Sequence, residues 1–347
     1  MNLTFDPDAI DDAAAEDSFS GIVTVDVADD RTFDRAYGFT HRALEVPTTP
    51  DTRFAIASGS KIFTALAIWR LIESGELARN QPVRSILGDD LPLIDDAVTI
   101  EHLLGHTSGI GDYLDEDADG EVDDYVLDVP VHTLTTAEAF LPILADLPQV
   151  FTPGERFAYC NGGYIVLAIV IERVTGETYH DAVRRLVFAP AGLTRTDFLR
   201  LDELPGDTAV GYVHAEGDRA NTLHLPVLGN GDGGAFTTAS DLHRFWRALR
   251  DGAIVSPDTF AELTRPRHFV EDEDKRAGLG IWLHATGDAL IAEGYDTGVS
   301  FWSAHLPASD TTVTVIGNTA DGAWPVASVL AEAVDAALEQ SATQPVP

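Results

Sequence analysis

The chain has 347 residues, 45% of them hydrophobic, so it can fold as one large or two closely packed domains with a sizeable core. Its 57 acidic and 22 basic residues give a net charge of −35, a sign that repels nucleic acid and anionic lipid. We therefore exclude nucleic acid and a membrane surface as partners. No apolar run approaches the roughly 18 residues of a membrane span.

The N-terminal residues lack the basic and apolar regions of a secretory signal, so we expect a cytoplasmic protein. The single cysteine, Cys160, excludes an intramolecular disulfide and a zinc site made of cysteines. A large acidic excess with arginine used in place of lysine indicates either a salt-adapted cytoplasm or a genome rich in G and C. Composition does not separate these two origins.

The first predicted element is a β-hairpin over residues 20–38. Apolar and polar residues alternate through the first arm, and Asp29 and Asp30 supply the turn. A short apolar lead-in over residues 53–57 then runs into a helix that ends at Gly75.

Ser58 and Lys61 lie three residues apart where this lead-in meets the helix. Positions i and i+3 share one helix face, so the amine of Lys61 can reach the hydroxyl of Ser58. A serine becomes a nucleophile only when a neighbouring group withdraws its proton, and the helix N-terminus favours developing negative charge. The chain has only two lysines, Lys61 and Lys275, and arginine could not replace Lys61 because it does not give up its proton. The pattern therefore predicts an activated serine.

Two stretches resemble metal-ligand patterns. His102 and His106 have the i, i+4 spacing of paired zinc ligands on a helix, but the glutamate of a metalloprotease pair and a third ligand are missing. The acidic loop from Asp115 to Asp123 follows the first positions of a calcium loop, but Val126 stands where a bidentate glutamate belongs. We therefore predict no metal site, and treat the acidic loop as solvated unless calcium binding is demonstrated.

Tyr159 and Asn161 lie on a bend before an apolar helix, predicted from Tyr164 to Val174, and both can face one cleft.

Residues 229–234 formally contain G-x-G-x-x-G. The next helix starts too late for a dinucleotide site, so we predict a tight glycine-rich crossing instead. Apolar and polar residues alternate in several segments over residues 278–316, which predicts successive antiparallel strands. A helix is predicted from Val326 to Glu339, at the end of the chain.

Taken together, these stretches resemble the serine β-lactamase-like family, which contains class C β-lactamases, DD-peptidases, D-aminopeptidases and related esterases. The resemblance covers roughly residues 20–335 and has the motifs in the order typical of that family. The motifs are Ser58-Gly59-Ser60-Lys61, His106-Thr107-Ser108-Gly109, Phe151-Thr152-Pro153-Gly154, Tyr159-Cys160-Asn161 and the stretch from Gly233 to Leu242.

The resemblance implies an α+β fold of the α/β sandwich type, in which helices flank an antiparallel sheet and a mostly helical region is inserted. We expect residues 1–78 and 228–347 to form the sheet domain and residues 79–227 the helical domain, with the active site in the cleft between them.

One motif departs from the family pattern. The cleft strand of the family carries Lys-Thr-Gly, His-x-Gly or Trp-x-Gly, whereas the simplest alignment here gives Ala292-Glu293-Gly294, and the alternative, Asp296-Thr297-Gly298, also lacks a cation. In members that recognise β-lactams, the basic or aromatic residue helps to bind the substrate carboxylate. Its absence argues against anionic substrates.

The resemblance implies acyl transfer through a covalent acyl-serine on Ser58. The base is either Tyr159, whose phenolate the charge of Lys61 favours, or a neutral Lys61. We expect Asn161 to orient the acyl group or a lysine hydrogen bond. The backbone N–H groups of Ser58 and Tyr295 would hold the oxyanion, with Gly294 permitting the close approach.

The leading functional prediction is a serine hydrolase, an esterase or amidase for small acyl substrates that needs no metal or organic cofactor. The first alternative is a β-lactamase or a D-amino-acid peptidase of the same superfamily. The second is a non-catalytic homologue that keeps the cleft for binding alone.

Overall fold

The computed structural model describes residues 3–16, 18–114 and 126–343 of the chain. The strands are β1 Gly21–Val27, β2 Asp30–Tyr37, β3 Phe39–His41, β4 Val46–Pro47, β5 Phe54–Ala55, β6 Asp197–Phe198, β7 Ala235–Thr237, β8 His268–Val270, β9 Lys275–Ala277, β10 Trp282–His284, β11 Leu290–Asp296, β12 Val299–Leu306 and β13 Thr311–Gly317.

The α-helices are α1 Pro7–Glu16, α2 Lys61–Glu73, α3 Arg84–Leu87, α4 Ile100–Leu104, α5 Leu141–Leu144, α6 Asn161–Thr175, α7 Tyr179–Val183, α8 Ala189–Ala191, α9 Ala239–Arg250, α10 Pro257–Leu263 and α11 Trp324–Thr343. A π-helical stretch, Arg184–Phe188, joins α7 to α8. Short 3₁₀ turns lie at Ala57–Ser60, Val131–Thr133, Ala137–Phe140, Asn221–Leu223, Glu271–Glu273 and Pro307–Ser309.

The two ends of the chain meet in one antiparallel sheet. Its strand order is β2-β1-β13-β12-β11-β10-β9-β8, so the N-terminal hairpin lies beside the last strand of the chain. The predicted hairpin is confirmed, with Gly21 opposite Tyr37. The predicted antiparallel strands of the C-terminal part are confirmed as β10 to β13, whereas the short strands β8 and β9 had not been predicted.

The sheet is covered by helices on both faces, as predicted. Adjacent strand residues point to opposite faces, so Ile22 belongs to the core that contains residues of α2, α6 and α9, whereas Val23 belongs to the core that contains residues of α1 and α11. Residues 61–69 of α2 and 161–171 of α6 are buried throughout, which explains why both helices are apolar on every side. The large core formed around them fixes the positions of the helix N-termini that reach the cleft.

Most of the helices lie between β5 and β10 in the chain, which agrees with the expected helix-rich middle. The division into domains at residues 78 and 227 stays a prediction. Across the described residues, no helix combines the length with the apolar character that crossing a lipid bilayer requires. The acidic loop considered for calcium, Asp115 to Asp123, lies outside the described residues.

Candidate active site

Ser58 lies in the 3₁₀ turn that precedes α2 and is partly exposed. Ala57, directly before it, has a left-handed backbone with φ of 42°, which is strained for a residue with a side chain. The hydroxyl of Ser60 donates to the Ala57 carbonyl at 2.8 Å and accepts the Ala235 N–H at 2.9 Å. These contacts fix the turn against β7, so Ser58 is presented on a tightly held piece of backbone.

Ser58 lies, as predicted, where the lead-in meets a helix, although the first turn, Ala57–Ser60, is 3₁₀ and Lys61 is the first residue of α2. The pair is nevertheless aligned, since side chains at i and i+3 eclipse one another in a 3₁₀ turn. The distance from Lys61 Nζ to Ser58 Oγ is 2.8 Å.

Lys61 is buried, and further acceptors of its amine lie among the described residues. Its Nζ lies 2.8 Å from Oδ1 of Asn161 and 2.6 Å from the backbone carbonyl of Asp232. The predicted contact between Asn161 and the lysine is therefore present. The carbonyl of Asp232 had not been predicted, because its partner lies 171 positions earlier in the chain.

The ring of Tyr159 lies beside this group. Lys61 Nζ is 4.8 Å from its ring centroid, and Tyr159 and Ser58 line the same cleft. The ring is stacked between His106, at a centroid distance of 4.5 Å, and Trp282, at 6.3 Å. The fold thus brings Tyr159 to Ser58 and Lys61 from a segment about 100 residues away, while its catalytic role stays a prediction.

His106 supports Tyr159. Helix α4 ends at Leu104, so His102 and His106 do not lie on one helix as the zinc-like spacing required. The backbone carbonyl of His106 accepts the Ala158 N–H at 2.9 Å, and its Nδ1 accepts the Cys160 N–H at 3.1 Å. Burial, with a smaller contribution from the Lys61 charge, lowers the pKa of His106 to about 3, so the ring is neutral. Contacts on both sides of Tyr159 fix the backbone that carries it.

Asn161 is the first residue of α6 and is 2% exposed. Its Nδ2 donates to the Leu114 carbonyl at 2.9 Å, so both ends of the carboxamide are engaged. The carboxylate of Asp112 accepts the N–H groups of Asn161 at 2.6 Å and Gly162 at 2.8 Å. A carboxylate at a helix N-terminus is favourable, yet burial raises the pKa of Asp112 to about 6. Asp112 had not been predicted as a site residue, although it lies close after the His106 motif.

The side chain of Asp232 forms a second buried acidic group near Lys61. The hydroxyl of Tyr113 donates a short hydrogen bond to Oδ2 of Asp232. Burial raises the pKa of Asp232, while the charge of Lys61 and the bond from Tyr113 oppose that shift. Burial also raises the pKa of Tyr113, so Tyr113 is a hydrogen-bond donor here.

Gly294, in β11, lies directly against the Ser58 turn. A Cβ on Gly294 would lie 2.1 Å from the Ile56 carbonyl oxygen and 2.9 Å from the Gly59 nitrogen. The expected close backbone approach is therefore present. Tyr295 follows in β11 and is exposed, and the role of its N–H in binding an oxyanion stays a prediction.

Two concave regions meet at Ser58. One, the apolar cavity, has about 920 Å³ of space, part of it open to solvent, and is lined among others by Ser58, Leu199, Leu201, Leu225, Asn230 and Phe236. The other, the aromatic cleft, is lined among others by Ser58, Tyr159, Lys275, Trp282, Glu293 and Trp324. A bound carbonyl compound can therefore extend in two directions from the serine.

A cation does reach the aromatic cleft, although the motif at Ala292 lacks one. Lys275, from β9, places its Nζ 2.6 Å from Oε1 of Glu293 and 3.1 Å from Oε2 of Glu273. No sequence pattern indicates this contact, because β9 has three residues, two of them charged. Because Lys275 pairs with two glutamates, Glu273 and Glu293, the three side chains together carry a net charge of −1.

Comparison with known proteins supports the family resemblance that the sequence motifs indicate. Residues 8–338 match the family model described as Beta-lactamase. A penicillin-binding protein from Bacillus halodurans, solved by crystallography, is 36% identical, with a TM-score of 0.86 and coverage of 93% of this chain and 99% of that one.

Two curated bacterial proteins extend the comparison. Esterase EstB of Burkholderia gladioli is 32% identical over 75% of this chain and 73% of its own length. The putative penicillin-binding protein PbpX of Bacillus subtilis is 28% identical over 89% and 73%. The match of the family model over nearly the whole chain, together with this fold, shows that the chain belongs to the beta-lactamase family.

Proposed function

We propose that this protein is a serine hydrolase that cleaves small esters or amides through a covalent acyl-Ser58 intermediate. The observation that carries the proposal is the 2.8 Å contact between the buried Lys61 amine and the Ser58 hydroxyl. Asn161 and the Asp232 carbonyl hold the amine in place, so little reorganisation is needed before reaction.

In the acylation step, Ser58 Oγ forms a bond to the substrate carbonyl carbon and its proton passes to the base. The base is Tyr159 as phenolate or Lys61 as neutral amine. The negative charge on the former carbonyl oxygen is held by the N–H groups of Ser58 and Tyr295, each such donor contributing about 3–4 kcal/mol. The bond to the leaving group then breaks, and the leaving group takes the proton from the same base.

In the deacylation step, the base removes a proton from water, whose oxygen attacks the acyl carbon. Ser58 Oγ departs, recovers the proton, and the carboxylic acid is released. The leaving group must contact the group that protonates it, so we place it in the aromatic cleft beside Tyr159. The acyl group then extends into the apolar cavity, whose wall is rich in leucine.

Labelling and turnover together test the proposal. A fluorophosphonate probe should label Ser58, as located by mass spectrometry, and purified protein should hydrolyse p-nitrophenyl butyrate. Ser58→Ala should remove both labelling and turnover, because the nucleophile is lost. Turnover or labelling that survives in Ser58→Ala would identify a different nucleophile. Folded protein with neither property would favour the non-catalytic binding alternative.

The second candidate is a β-lactamase or D-amino-acid peptidase of the same family. Two observations favour it: relatives carry the name penicillin-binding protein, and Lys275 brings a cation into the aromatic cleft. Parallel rates on nitrocefin, p-nitrophenyl butyrate and D-alanine amide separate the candidates. A kcat/KM on nitrocefin or the amide that exceeds the ester value would replace the esterase assignment.

A further inference from the structure

The aromatic cleft beside Ser58 has about 1340 Å³ of space, part of it open to solvent. The aromatic residues in its wall are Tyr159, Trp282, Tyr295, Trp302 and Trp324. Tyr159 and Trp282 are stacked, with ring centroids 6.3 Å apart, and the Tyr295 ring lies 6.3 Å from that of Trp324. Tyr295 is 41% exposed, and Trp282 and Trp324 are partly exposed. A molecule bound in the cleft can therefore contact these rings.

In the part of the chain that the structure describes, the charged side chains that line this cleft are Glu273, Lys275 and Glu293. The amine of Lys275 lies 2.6 Å from a carboxylate oxygen of Glu293 and 3.1 Å from one of Glu273. Burial lowers the pKa of Lys275, but the two carboxylates outweigh burial and raise it overall, so the amine stays protonated. The side chain of Lys275 is 17% exposed and that of Glu273 is 48% exposed. A ligand therefore meets a net charge of −1, in which the ammonium is less exposed than Glu273.

Aromatic rings beside a net negative charge favour an organic cation. The face of a Trp or Tyr ring attracts a cation, and cages of such rings are a common way to bind quaternary ammonium groups. Contacts of this kind are already present here, since Lys275 Nζ lies 5.8 Å from the Trp282 ring and Lys61 Nζ 4.8 Å from the Tyr159 ring. An alkylated ammonium suits the cleft better than a primary one, because its methyl groups pack against the rings and it needs no hydrogen-bond acceptors.

We propose that the aromatic cleft selects substrates whose leaving group carries an alkylated ammonium, as in the ester of a trimethylammonium alcohol. The inference rests on the proposed function, which places the leaving group in this cleft. The exposed rings of Tyr295 and Trp324 contact the methyl groups of the cation. The carboxylates of Glu273 and Glu293 supply the opposite charge. The alcohol departs as in the acylation step above, so the cation takes no part in bond breaking.

A leaving group with a carboxylate is a poorer match. Lys275 attracts it, but both glutamates lie within hydrogen-bond distance of the same amine, so one attraction is opposed by two repulsions at similar distances. A neutral alkyl group can contact the rings but has no favourable interaction with the charge. The inference therefore differs from the β-lactamase or D-amino-acid peptidase candidate, in which Lys275 binds an anionic group.

Three butyrate esters with leaving groups of similar length test the inference. Butyrylcholine carries a cation, 3,3-dimethylbutyl butyrate is its neutral isostere, and 4-(butyryloxy)butanoate carries a carboxylate. Release of butyric acid is followed by pH-stat titration in about 0.3 M KCl, which screens the long-range attraction of the acidic surface. Each kcat/KM is divided by the rate of alkaline hydrolysis to remove intrinsic reactivity. For the wild type we expect butyrylcholine to exceed the isostere by roughly tenfold, and the carboxylate ester to fall below it.

Charge variants should shift the ratio of butyrylcholine to isostere in opposite directions. Glu293→Gln changes the sum of the three charges from −1 to 0 and should lower the ratio about threefold or more. Lys275→Met changes the sum to −2 and should raise the ratio. Glu216→Gln removes one negative charge at an exposed position outside the cleft and should keep the wild-type ratio.

Ring variants test the aromatic contribution. Tyr295→Leu should lower the ratio, whereas Tyr295→Phe keeps the ring and should retain most of it. Isothermal titration of Ser58→Ala with butyrylcholine and its isostere makes the same comparison without turnover. We expect the cation to bind more tightly there as well.

Equal normalised rates on butyrylcholine and the isostere by wild type would overturn the inference, as would the same ratio in Glu293→Gln and Glu216→Gln. A wild-type preference for the carboxylate ester would assign Lys275 to anion binding. In Glu293→Gln, an equal loss on all three esters with a lower unfolding temperature would give the ion pairs a structural role. Absence of turnover on every ester by folded wild type would contradict the proposed function, while titration of Ser58→Ala would still decide whether the cleft prefers a cation.

Discussion

At the scale of single residues, the contacts of Lys61 fit two protonation states. An ammonium can donate to Ser58, Asn161 and the Asp232 carbonyl together. A neutral amine can donate to Asn161 and the carbonyl while its lone pair accepts the Ser58 proton. In the first state Tyr159 must be the base, and in the second Lys61 is.

Tyr159→Phe distinguishes these states. If the phenol is the base, acylation should slow by two or more decades, since a positioned general base typically contributes 10² to 10⁴ in rate. The measurement is the pre-steady-state rate of acylation by a p-nitrophenyl ester. Tyr164→Phe is the matched control, because Tyr164 also stacks on His106 but its hydroxyl donates to the Leu104 carbonyl. Acylation by Tyr159→Phe at the rate of this control would transfer the role to Lys61.

Asp112 makes stability depend on pH. Its folded pKa of about 6 lies above the ordinary value of 3.8, so the folded state binds more protons between these values. The free energy of unfolding should therefore fall as pH rises through this window, by roughly 3 kcal/mol for this group alone.

Asp112→Asn cannot titrate and should lose this contribution. The free energy of unfolding, measured with urea from pH 4 to 7, should therefore rise with pH in the variant relative to the wild type. The loss of one acceptor oxygen also changes the variant's stability, but by the same amount at every pH. Asp89→Asn, at an exposed position, should keep the wild-type slope. Parallel curves for Asp112→Asn and the wild type would show that folding does not shift the pKa of Asp112.

At the scale of elements, predictions from the sequence were most accurate where the spacing of neighbouring residues determines the structure. The spacing of Ser58 and Lys61 and the apolar helix before Gly176 both follow from side-chain periodicity. Lys275 was missed as part of the cleft because β9 has three residues and charged side chains, too short for a periodic pattern. Its place beside Glu293 depends on sheet pairing, which no local rule specifies.

Strand β11 must approach the Ser58 turn closely for an oxyanion site to form there. Gly294→Ala would put a Cβ 2.1 Å from the Ile56 carbonyl oxygen, so the strand or the turn has to move. We expect kcat/KM to fall about 100-fold or more, as for loss of an oxyanion donor, and the unfolding temperature to fall as well. Gly206→Ala is the control, since its Cβ would meet nothing within 4 Å. Unchanged kcat/KM in Gly294→Ala would show that β11 does not contribute to the oxyanion site.

At the scale of the whole molecule, the family resemblance implied the α+β class, and the order of the predicted elements agreed with it. The expectation that nucleic acid is not a partner came from the net charge alone. The strand order was not predicted, since alternation marks a strand but not its neighbour; the family resemblance implied only that both ends of the chain contribute to the sheet. The pairing of β1 with β13 joins residues nearly 300 positions apart. Likewise, the carboxamide of Asn230 has no hydrogen-bond partner among the residues that the structure describes, and a glycine-rich sequence does not reveal that.

In a chain with a net charge of −35, salt has two opposing effects on the free energy of unfolding: it weakens ion pairs, and it reduces repulsion among the carboxylates. Screening weakens ion pairs such as those of Arg173 with Asp90 and Glu138, but exposed pairs of this kind contribute only about 0–1 kcal/mol each. Screening also reduces repulsion among the excess carboxylates, which acts across the whole surface. Since the excess of 35 negative charges is larger than the number of basic residues, 22, relief of repulsion should dominate.

We therefore expect the free energy of unfolding at pH 8 to rise as ionic strength increases from 0.01 to 0.3 M, because the screening length shrinks from about 30 Å to below 10 Å. Urea unfolding in KCl and in K₂SO₄ at matched ionic strength measures the effect. Equal gains in both salts identify screening, whereas a gain confined to sulfate would identify exclusion of the anion from the surface. A decrease with salt would mean that the arginine ion pairs outweigh the repulsion. Loss of the folded state at the low end, with recovery in molar salt, would favour the salt-adapted origin over a merely G- and C-rich genome.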